Sequence, residues 1–595
     1  WPQGGPPFVS GLLLPSKLIF SPQGNLIVAE SGTETPNTGR ISIVDRTSGA
    51  RRTLIDGLPS GIFAVGGEAA PSGPSGLAVQ GTTLYATIGA GNGVLPGPAP
   101  GSEMANDAPS SPILSSLLSF RSSVALDAAR GGFTLTAADQ TTLDNGGEVT
   151  LENSEHETLT VRLVADFPNF TPNPRPDFAA NVRASNPFGV VVRGQTLFVV
   201  DASQNLIRRV DANSGEFTTL TTFAVLPNTQ PPIEPVPDSI HFRGDELLVT
   251  FLTGFPFLPD RAEVRTDDMN TGESAQVVSG LTSAIDLHPL GNGRGDALLV
   301  LEFSSDLRNG APGRLRIVAP GGAPITLADG LPTPTSMAVD QRSGEVFITH
   351  IFPGIISRRQ LGTSIPQAPP TAIIPVVASQ RGAFNSRFRT VMQLSNPHAF
   401  PISGQLVVHP QSDIARPADP TLTYTIAPFS TQRFDDFMAA AGASGSGSVD
   451  VIASVGSAPV IVTTIVDENA PGSPAVQIPQ LRPEDALGGG QRGGLITPSD
   501  IFRFRMNIGI RTLQHGAALT FRVFDSAGRE VHSVSRPFPP MFFQQFLASD
   551  LLGGPLPANG VVIVTVDAGD AIVYAATIAN DTGDATLQIA SAIDD

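Results

Sequence analysis

The chain has no cysteine among its 595 residues. This absence excludes thiol catalysis, disulfide bonds, zinc–thiolate centres and iron–sulfur clusters, because all of these require cysteine sulfur. Stability must therefore come from apolar burial and from backbone hydrogen bonds between strands. A composition of 41% hydrophobic and 15% charged residues is typical of a globular protein, and the length suggests about three domains.

Basic residues are scarce. The sequence has 36 Lys and Arg against 54 Asp and Glu, a formal net charge of −18, and Lys17 is its single lysine. This charge argues against nucleic acid as a partner, because phosphates bind to clusters of basic side chains. Any Schiff-base chemistry would depend on Lys17 alone. No apolar run approaches the ~20 residues of a transmembrane helix, so the sequence predicts no transmembrane segment.

Aromatic residues and catalytic motifs are also few. One Trp and three Tyr provide few platforms for stacking sugars, and a chain with a single tryptophan cannot be built from WD repeats. The sequence contains no His-Glu-x-x-His, no Gly-x-Ser-x-Gly and no Gly-x-x-x-x-Gly-Lys. Its eight histidines include no pair at metal-ligand spacing. The absence of these catalytic motifs favours a non-catalytic protein.

Six similar segments fill the first part of the chain. Each has a turn residue, usually proline, then a short apolar strand, a second turn and a second strand. The last residue of the second strand occupies an equivalent position in every segment. They begin at Pro15, Pro74, Pro187, Pro237, Thr282 and Pro334. Repetition at this spacing indicates small sheets stacked radially against copies of themselves. The sequence therefore predicts an all-β fold with a six-bladed β-propeller over residues 9–362.

A long insert, residues 92–185, separates the second segment from the third. Its second part alternates polar and apolar residues on both sides of Asp144-Asn-Gly-Gly147, which predicts a β-hairpin. The insert is expected to form an elaborated outer blade or a flap on one face. Val9–Leu14, ahead of the first segment, could add a strand to the last blade and close the ring.

Several runs in these segments resemble the ScyD/ScyE family of bacterial propellers, which is similar to the NHL and gluconolactonase-type propellers. The runs are Asn186-Pro-Phe-Gly-Val-Val-Val192 with Asp201, Leu252-Thr-Gly-Phe-Pro-Phe257, and Ile285-Asp-Leu287 with Val300-Leu-Glu302. The resemblance covers about 9–362 and implies a secreted propeller rather than a particular reaction.

The same resemblance suggests where a ligand would bind. Calcium lactonases of this superfamily place Asn, Asp or Glu just after the turn residue that opens the first strand. The corresponding positions here are Ser16, Ser75, Phe188, Asp238, Ser283 and Thr335. Only Asp238 is a hard-cation ligand, whereas calcium takes six to eight oxygens. No cofactor is predicted, and calcium is the one candidate.

The ends of the second strands give a second set of equivalent positions, and four of them are ionisable: Glu30, Asp201, Glu302 and His350. Blade symmetry should bring these four to one propeller face. One hypothesis is a site for a cation or a polar ligand, to which Asp238 would be added. The alternative is that each side chain bonds loop amides and caps a turn, as the terminal Asp of NHL repeats does.

The last third of the chain is a duplication. Arg387-Phe-Arg389 matches Arg503-Phe-Arg505, and Phe434-Asp-Asp-Phe437 matches Phe543-Gln-Gln-Phe546, a spacing that predicts a short helix over buried rings. We expect two tandem Ig-like β-sandwiches, residues 372–485 and 496–595. Residues 363–371 are predicted as one linker and the Gly-rich residues 486–495 as a second, flexible one.

These observations favour an exported, non-catalytic bacterial protein that acts in extracellular binding or structural assembly. Its location would be extracellular, on the cell surface or in the periplasm, with a signal peptide removed before Trp1. Residues 1–8 would form an extended leader whose Trp1 docks on another copy, giving a self-associating filament or surface subunit. The alternative is a metal-assisted, lactonase-like hydrolase at the propeller's top face.

Overall fold

The computed structural model divides the chain into two compact units, Trp1–Ala368 and Pro369–Asp595. It describes residues 6–64, 69–98, 102–174, 183–226, 229, 232–291, 296–319, 322–341, 343–361, 370–382, 386–399, 401–411, 419–453, 458–469 and 475–593. Each unit is built almost entirely from antiparallel strands.

The first blade follows the repeat pattern directly. Its strands are β1 (Pro15–Phe20), β2 (Leu26–Glu30), β3 (Gly39–Val44) and β4 (Arg51–Leu58), hydrogen-bonded in that order. A small hairpin, β5 (Gly61–Phe63) and β6 (Ala70–Ser72), leads to the second blade.

The second blade contains the insert. Its elements are β7 (Pro74–Gln80), β8 (Thr83–Ile88), β9 (Val94–Pro96), β10 (Glu103–Ala105), β11 (Ser116–Ser122), β12 (Phe133–Thr134), helix α1 (Ala137–Asp144), β13 (Val149–Glu152) and β14 (Thr158–Asp166). The blade has the order β7-β8-β11-β14-β13, while β12 adds a parallel edge to blade 1. The insert therefore completes a blade, and a 3₁₀ turn covers Leu126–Ala128.

The predicted hairpin around Asp144–Gly147 is wrong. Residues 137–144 form α1, which starts with a capping box between Thr136 and Asp139, and Asn145-Gly146 follow its last turn. Polar–apolar alternation over a few residues does not distinguish a strand from a short helix, whereas the Thr-x-x-Asp cap specifies the helix start.

Blades 3 to 6 each use consecutive strands. Blade 3 has β15 (Pro187–Arg193), β16 (Thr196–Asp201), β17 (Leu206–Asp211) and β18 (Phe217–Thr222), and blade 4 has β19 (Pro237–Arg243), β20 (Glu246–Phe251), β21 (Ala262–Asp268) and β22 (Ser274–Leu281). Blade 5 has β23 (Ala284–Pro289), β24 (Leu298–Glu302), β25 (Gly313–Val318) and β26 (Ile325–Leu331), and blade 6 has β27 (Pro334–Asp340), β28 (Glu345–His350) and β29 (Ile355–Gln360). A 3₁₀ turn, Leu307–Asn309, follows β24.

The ring closes between the first and last blades. The inner strands contact one another in the order β1, β7, β15, β19, β23 and β27, and β27 contacts β1 again. Val9 forms a β-bridge with Ile356 of β29, where a fourth strand of blade 6 would lie. Arg46 of blade 1 binds Glu345 of blade 6 at 2.6 Å. The prediction of a six-bladed propeller is confirmed.

Apolar residues fill the space between neighbouring blades. Phe198 and Val200 of blade 3, for example, pack in one buried cluster with Ile240, Val249 and Phe251 of blade 4. Phe223 and Phe251 meet edge to face across this layer, with ring centroids 4.8 Å apart. Each blade thus buries both of its faces, which one four-stranded sheet could not do alone.

Every inner strand starts with a β-bulge. The first residue of each pairs with the last residue of the second strand, and the register then shifts before regular pairing resumes. In blade 5 the residue that pairs with Glu302 is Ala284, which therefore occupies the proline position. The predicted ligand position Ser283 is wrong for this reason, and its equivalent is Ile285.

The C-terminal unit begins with the first repeat of the duplication. Its elements are β30 (Ala372–Arg381), β31 (Arg387–Ser395), β32 (Ile402–Pro410), β33 (Thr421–Ile426), β34 (Thr431–Phe434), helix α2 (Phe437–Ala440), β35 (Gly445–Ala453), β36 (Val460–Asp467) and β37 (Val476–Ile478). The strand order is β33-β32-β35-β30-β31-β36-β37, with β34 paired to β31. A 3₁₀ turn, Pro483–Asp485, follows.

The second repeat uses longer strands. Its elements are β38 (Leu487–Gly488), β39 (Arg492–Ile496), β40 (Phe504–Phe524), β41 (Glu530–Phe538), β42 (Phe543–Leu547), helix α3 (Ala548–Leu552), β43 (Val561–Ala579) and β44 (Ala585–Ile589). The two halves of β40 pair as β31 and β32 do, and the two halves of β43 pair as β35 and β36 do. The matched pairing agrees with a duplication, while the Ig-like sandwich class stays a prediction.

Two local expectations in this unit need correction. The segment predicted as a flexible linker, 486–495, contains strands β38 and β39, both paired with β43. Of the four matched phenylalanines, Phe437 and Phe543 are fully buried, whereas Phe434 and Phe546 are half-buried. Phe546 belongs to β42 rather than to a helix, because α3 starts two residues later. The linker predicted over 363–371 lies largely outside the described residues.

Candidate functional site

A cavity of about 340 Å³ lies where the inner strands of blades 3 to 6 begin. Its walls are mainly apolar, and its lining residues are Asn186, Phe188, Ala202, Ser203, Glu234, Val236, Asp238, Leu252, Ile285, Phe303, Leu307, Thr335 and Ile351. We call it the channel-mouth pocket. Phe188, Asp238, Ile285 and Thr335 are the second residues of their inner strands, so the pocket opens at the upper end of the central channel.

Asp238 is the buried carboxyl group of this pocket. Its residue is only 4% exposed, and its Oδ2 has no hydrogen-bond partner within the described part of the chain. Burial raises the pKa of Asp238 well above its usual value, and the nearby charge of Asp286 raises it further. A hydrogen bond from the Leu252 backbone N–H acts in the other direction but is the smaller effect. Burial and the charge of Asp286 thus both favour the protonated form of Asp238.

A set of polar residues lies in the channel between the inner strands. Lys17 Nζ is 2.9 Å from Asp286 Oδ1 and donates to Ser239 Oγ at 3.1 Å. His241 Nε2 lies 3.0 Å from the same Asp286 oxygen. Lys17, Ser239 and Asp286 are all buried, and they come from blades 1, 4 and 5. We call these four residues, with Ser336, the channel cluster.

Ser336 completes the coordination of Asp286. Its hydroxyl donates to Asp286 Oδ2 at 2.7 Å, and the Met337 backbone N–H donates to the same oxygen at 2.9 Å. Burial acts to raise the pKa of Asp286, but Lys17, His241 and Ser239 together lower it below its usual value. Asp286 therefore stays ionised, and its charge helps to raise the pKa of Asp238.

The two histidines of the channel are neutral. Burial lowers the pKa of His241, and the positive charge of Lys17 lowers it further, against the effect of Asp286. Burial also lowers the pKa of His288 to about 4. With Lys17 and Asp286 balancing each other, the channel carries no net charge beneath the pocket. The arrangement can hold a neutral ligand against a hydrogen-bonding acid.

The residues of the channel cluster were not predicted as a site, although the sequence holds a signal for them. Lys17, Ser239, Asp286 and Ser336 all occupy the third position of their inner strands, as do Gly76 and Gly189 in the other two blades. Aligning the six repeats at this position, rather than at the second, would have placed the only lysine opposite Asp286. The bulge hides this correspondence, because it changes which residues point inward.

Three of the six second positions, which the resemblance suggested as ligands, join the blades instead. Ser16 donates to the carbonyl of Pro74 at 2.8 Å, and Ser75 donates to that of Pro187 at 2.8 Å. Thr335 donates to the carbonyl of Pro15 at 2.9 Å, across the ring closure. Of this set, Asp238 remains as the ionisable residue in the pocket.

The four ionisable residues at the second-strand ends are buried and bonded within their own blades. Glu30 accepts from Leu13 N at 2.5 Å and from Arg40 at 2.7 Å. Asp201 accepts from Asn186 N at 3.0 Å and from Gln204 N at 3.1 Å.

Glu302 and His350 follow the same pattern. Glu302 accepts from Thr282 N at 2.8 Å and is bonded to Arg314, while His350 Nδ1 lies 2.9 Å from the Pro332 carbonyl. Each of the four side chains thus holds the loop that enters its blade. This is the contact that the turn-capping alternative describes. Asn186, whose backbone N–H donates to Asp201, also lines the channel-mouth pocket.

The remaining predictions concern Trp1, metal ions and transmembrane segments. Trp1 lies outside the described residues. Within the described ranges no three His, Asp or Glu side chains are grouped so that they could hold a metal ion. The same ranges contain no helix with the length and apolar character needed to cross a membrane.

No protein-family model matches the chain, and no curated protein matches it. Among solved structures, the chain is similar to a gluconolactonase from Xanthomonas campestris, with 10% identity, a TM-score of 0.31, and coverage of 59% of this chain and 86% of that one.

Two further structures are similar to the same extent. A putative 6-phosphogluconolactonase from Bacteroides uniformis has 13% identity and a TM-score of 0.32 over 59% of this chain and 86% of that one. The PQQ-bound aldose sugar dehydrogenase from Streptomyces coelicolor has 14% identity and a TM-score of 0.31 over 58% of this chain and 90% of that one. At these values the similarities do not indicate what this chain binds.

Proposed function

We propose that this chain is an exported, non-catalytic binding protein whose propeller holds a small neutral ligand in the channel-mouth pocket. The observation that carries the proposal is Asp238, a buried acid that lines a mainly apolar cavity and whose Oδ2 has no hydrogen-bond partner among the described residues. A volume of about 340 Å³ lies in the range of small-molecule sites. The resemblance to ScyD/ScyE propellers supports the exported location.

The chemistry of the pocket defines the class of ligand. Phe188, Leu252 and Ile285 offer apolar contact, so the ligand should have an apolar body. A protonated carboxyl group both donates and accepts a hydrogen bond, which suits a lactone, amide or hydroxyl group. The carboxyl group of Glu234, which accepts from Asn205 at 3.0 Å, also lines the pocket, so an anionic ligand is disfavoured.

A lactonase-like hydrolase is the second candidate, and Asp238 is again the observation that favours it. An acid with a raised pKa can protonate a leaving group, as general acids in hydrolases do. The metal-assisted form of this hypothesis would need ligands besides Asp238. The binding role requires only the cavity and the acid.

Self-association is a further part of the proposal. The duplicated C-terminal unit would serve as a contact or spacer module, and an extended leader carrying Trp1 would dock on a neighbouring copy. Light scattering of the full chain, with and without residues 1–8, tests this step. A monomer in both cases would refute it.

The ligand proposal is tested with a panel of neutral lactones, cyclic amides and phenols, using saturation-transfer NMR on the full chain. We expect at least one class to bind and Asp238→Leu to abolish that binding. Asp267→Asn is the matched control, because Asp267 is also a buried carboxyl group of blade 4 but does not line the pocket. Binding that survives Asp238→Leu would refute the proposal, and turnover of a lactone that Asp238→Asn abolishes would favour the hydrolase.

A further inference from the structure

The C-terminal unit contains a separate cavity of about 210 Å³ between its two repeats. One wall comes mainly from β30, β36 and β37 of the first repeat, with Phe388 of β31, and the other mainly from β40, β43 and β44 of the second. In the matched pairing of the duplication, β31, β36 and β37 are equivalent to β40, β43 and β44. We call this cavity the inter-repeat pocket. Cavities between packed modules are common ligand sites.

Tyr574 supplies an unpartnered polar group to this pocket. The residue is fully buried, and its hydroxyl has no hydrogen-bond partner within the described part of the chain. Burial raises the pKa of Tyr574 above its usual value, so the phenol is neutral and can donate or accept one hydrogen bond. Leaving such a group without a partner costs stability, which a ligand oxygen would restore.

The position of Tyr574 depends on Gly509, the residue opposite it on β40. A Cβ atom on Gly509 would come within 2.0 Å of the Tyr574 ring. The missing side chain therefore allows the ring to lie across the neighbouring strand, where it forms part of the pocket wall. The close contact of Gly509 with the Tyr574 ring is therefore a specific part of the pocket wall and not a packing gap between strands.

The other lining residues disfavour an anionic ligand. Apolar side chains contribute much of the wall, among them Val376, Ile465, Ile478, Ile578 and Leu587. The charged residues of the lining already bond within the chain: Arg505 to Asn580 at 3.1 Å, Asp467 to the Arg387 N–H at 2.8 Å, and Asp584 to Thr582 at 2.8 Å. With two acids and one base, the lining repels an anion.

We infer that the inter-repeat pocket binds a small neutral molecule with one ring and one oxygen, and that the oxygen bonds Tyr574 Oη. An apolar cavity of ~150 Å³ is enough to hold benzene, so about 210 Å³ admits a substituted ring. The inference is independent of the channel-mouth pocket, which lies in the other compact unit.

The test measures by NMR whether two probes, p-cresol and toluene, bind saturably to the full chain. We expect both to bind, because the walls are apolar, and p-cresol to bind more tightly. Tyr574→Phe should lower the affinity for p-cresol about five- to tenfold, which is the value of one hydrogen bond. The affinity for toluene should not change. This variant removes a group that has no partner, so it should fold as the native chain does.

A second variant fills the cavity. Ala576 lies on the same face of β43 as Tyr574 and lines the pocket, so Ala576→Leu should abolish binding of both probes. Absence of saturable binding by either probe would overturn the inference. So would p-cresol binding that neither variant changes. Binding that is lost in Asp238→Leu but kept in both of these variants would assign p-cresol to the channel-mouth pocket and overturn this inference alone.

Discussion

At the scale of single residues, buried acids in the propeller fall into two groups that differ in their partners. Glu30, Glu302 and Asp286 each bond a basic side chain and several other donors. Asp238 and Asp267 are as deeply buried but contact no basic side chain within the described residues, and burial raises the pKa of both. Ionised Asp286 therefore strengthens the fold, whereas ionisation of Asp238 or Asp267 weakens it.

Asp267→Asn should make this second effect visible. Burial raises the pKa of Asp267 to about 6 from a usual value of 3.8, so the folded protein loses stability as the pH rises through this window. Relative to the wild type, the variant should gain about 2.5 kcal/mol in the free energy of unfolding between pH 4 and pH 7. Chemical denaturation at both pH values measures the change.

The neighbouring residue is the control for this prediction. Hydrogen bonds from the Thr271 and Asn270 backbone lower the pKa of Asp268, which is half-buried. The wild-type contribution of Asp268 is therefore present at high pH and lost on acidification, and Asp268→Asn should show the opposite trend. Equal pH profiles for the two variants would contradict the assignment.

Removing a paired acid should be costly. Glu302 is fully buried and holds Arg314, Arg316 and the Thr282 N–H. Glu302→Ala leaves these donors without their acceptor, and we expect the free energy of unfolding to fall by ~3–5 kcal/mol. Glu273→Ala, in an exposed turn, should change it little. Comparable losses in the two variants would show that the contacts of Glu302 contribute nothing.

Ligand binding should also depend on pH through Asp238. A ligand that accepts a hydrogen bond from the protonated acid loses that donor when Asp238 ionises, and it then meets a charge in an apolar pocket. Affinity should therefore fall as the pH is raised through the elevated pKa of Asp238. Titrations across the pH range measure the trend. In Asp238→Asn the affinity should be lower and independent of pH.

At the scale of elements, the sequence predicted strand pairs well and local exceptions poorly. The inner and outer strands of the six repeats were recognisable because each pair keeps its apolar run and its turn residues. The start of β23 was misplaced by two residues, since Ala284 replaces the proline that marks this position elsewhere. The channel cluster was missed because it depends on which side chains face inward after each bulge, and a repeat pattern does not specify that.

Helices α2 and α3 allow a test of the duplicated phenylalanines. Phe437 is fully buried beside Phe434, which is half-buried, with their ring centroids 6.2 Å apart. Phe437→Ala should lower the free energy of unfolding by ~3–5 kcal/mol, and Phe434→Ala by clearly less. In the second repeat the order of burial is reversed, so Phe543→Ala should cost more than Phe546→Ala. Losses that do not follow burial in either repeat would contradict this prediction.

At the scale of the whole molecule, glycines explain why the domain limits were harder to predict than the blades. The glycine-rich stretch near residue 490 was interpreted as flexible, yet Gly493 is a site of close approach. A Cβ atom there would lie 2.8 Å from the side chain of Leu487 and 3.1 Å from that of Ala590. Glycine composition alone does not distinguish a linker from a tightly packed strand.

The two repeats are joined by a buried ion pair, which gives a test of their coupling. Asp450 of the first repeat accepts twice from Arg511 of the second, both at 2.8 Å, and His409 lies 3.0 Å from the same acid. Arg511→Ala should cost ~3–5 kcal/mol, because it leaves Asp450 buried without its base.

The double variant Asp450→Leu/Arg511→Met is the matched control. It removes both charges, so part of the stability lost in Arg511→Ala should return. Thermal unfolding followed by circular dichroism measures the difference. Equal losses in the single and double variants would show that the pair itself, and not the stranded charge, is what matters.

The bridge between Val9 and Ile356 has a consequence for how the chain is made. The two residues lie at opposite ends of the propeller sequence, so the last blade cannot be completed until residue 356 has left the ribosome. Until then β1 lacks its neighbour β27, and the nascent chain carries open strand edges of the kind that pair with other chains. Contacts this distant in sequence also slow folding. Release of the propeller from synthesis, rather than any single blade, is therefore the step at which a chaperone would be most needed.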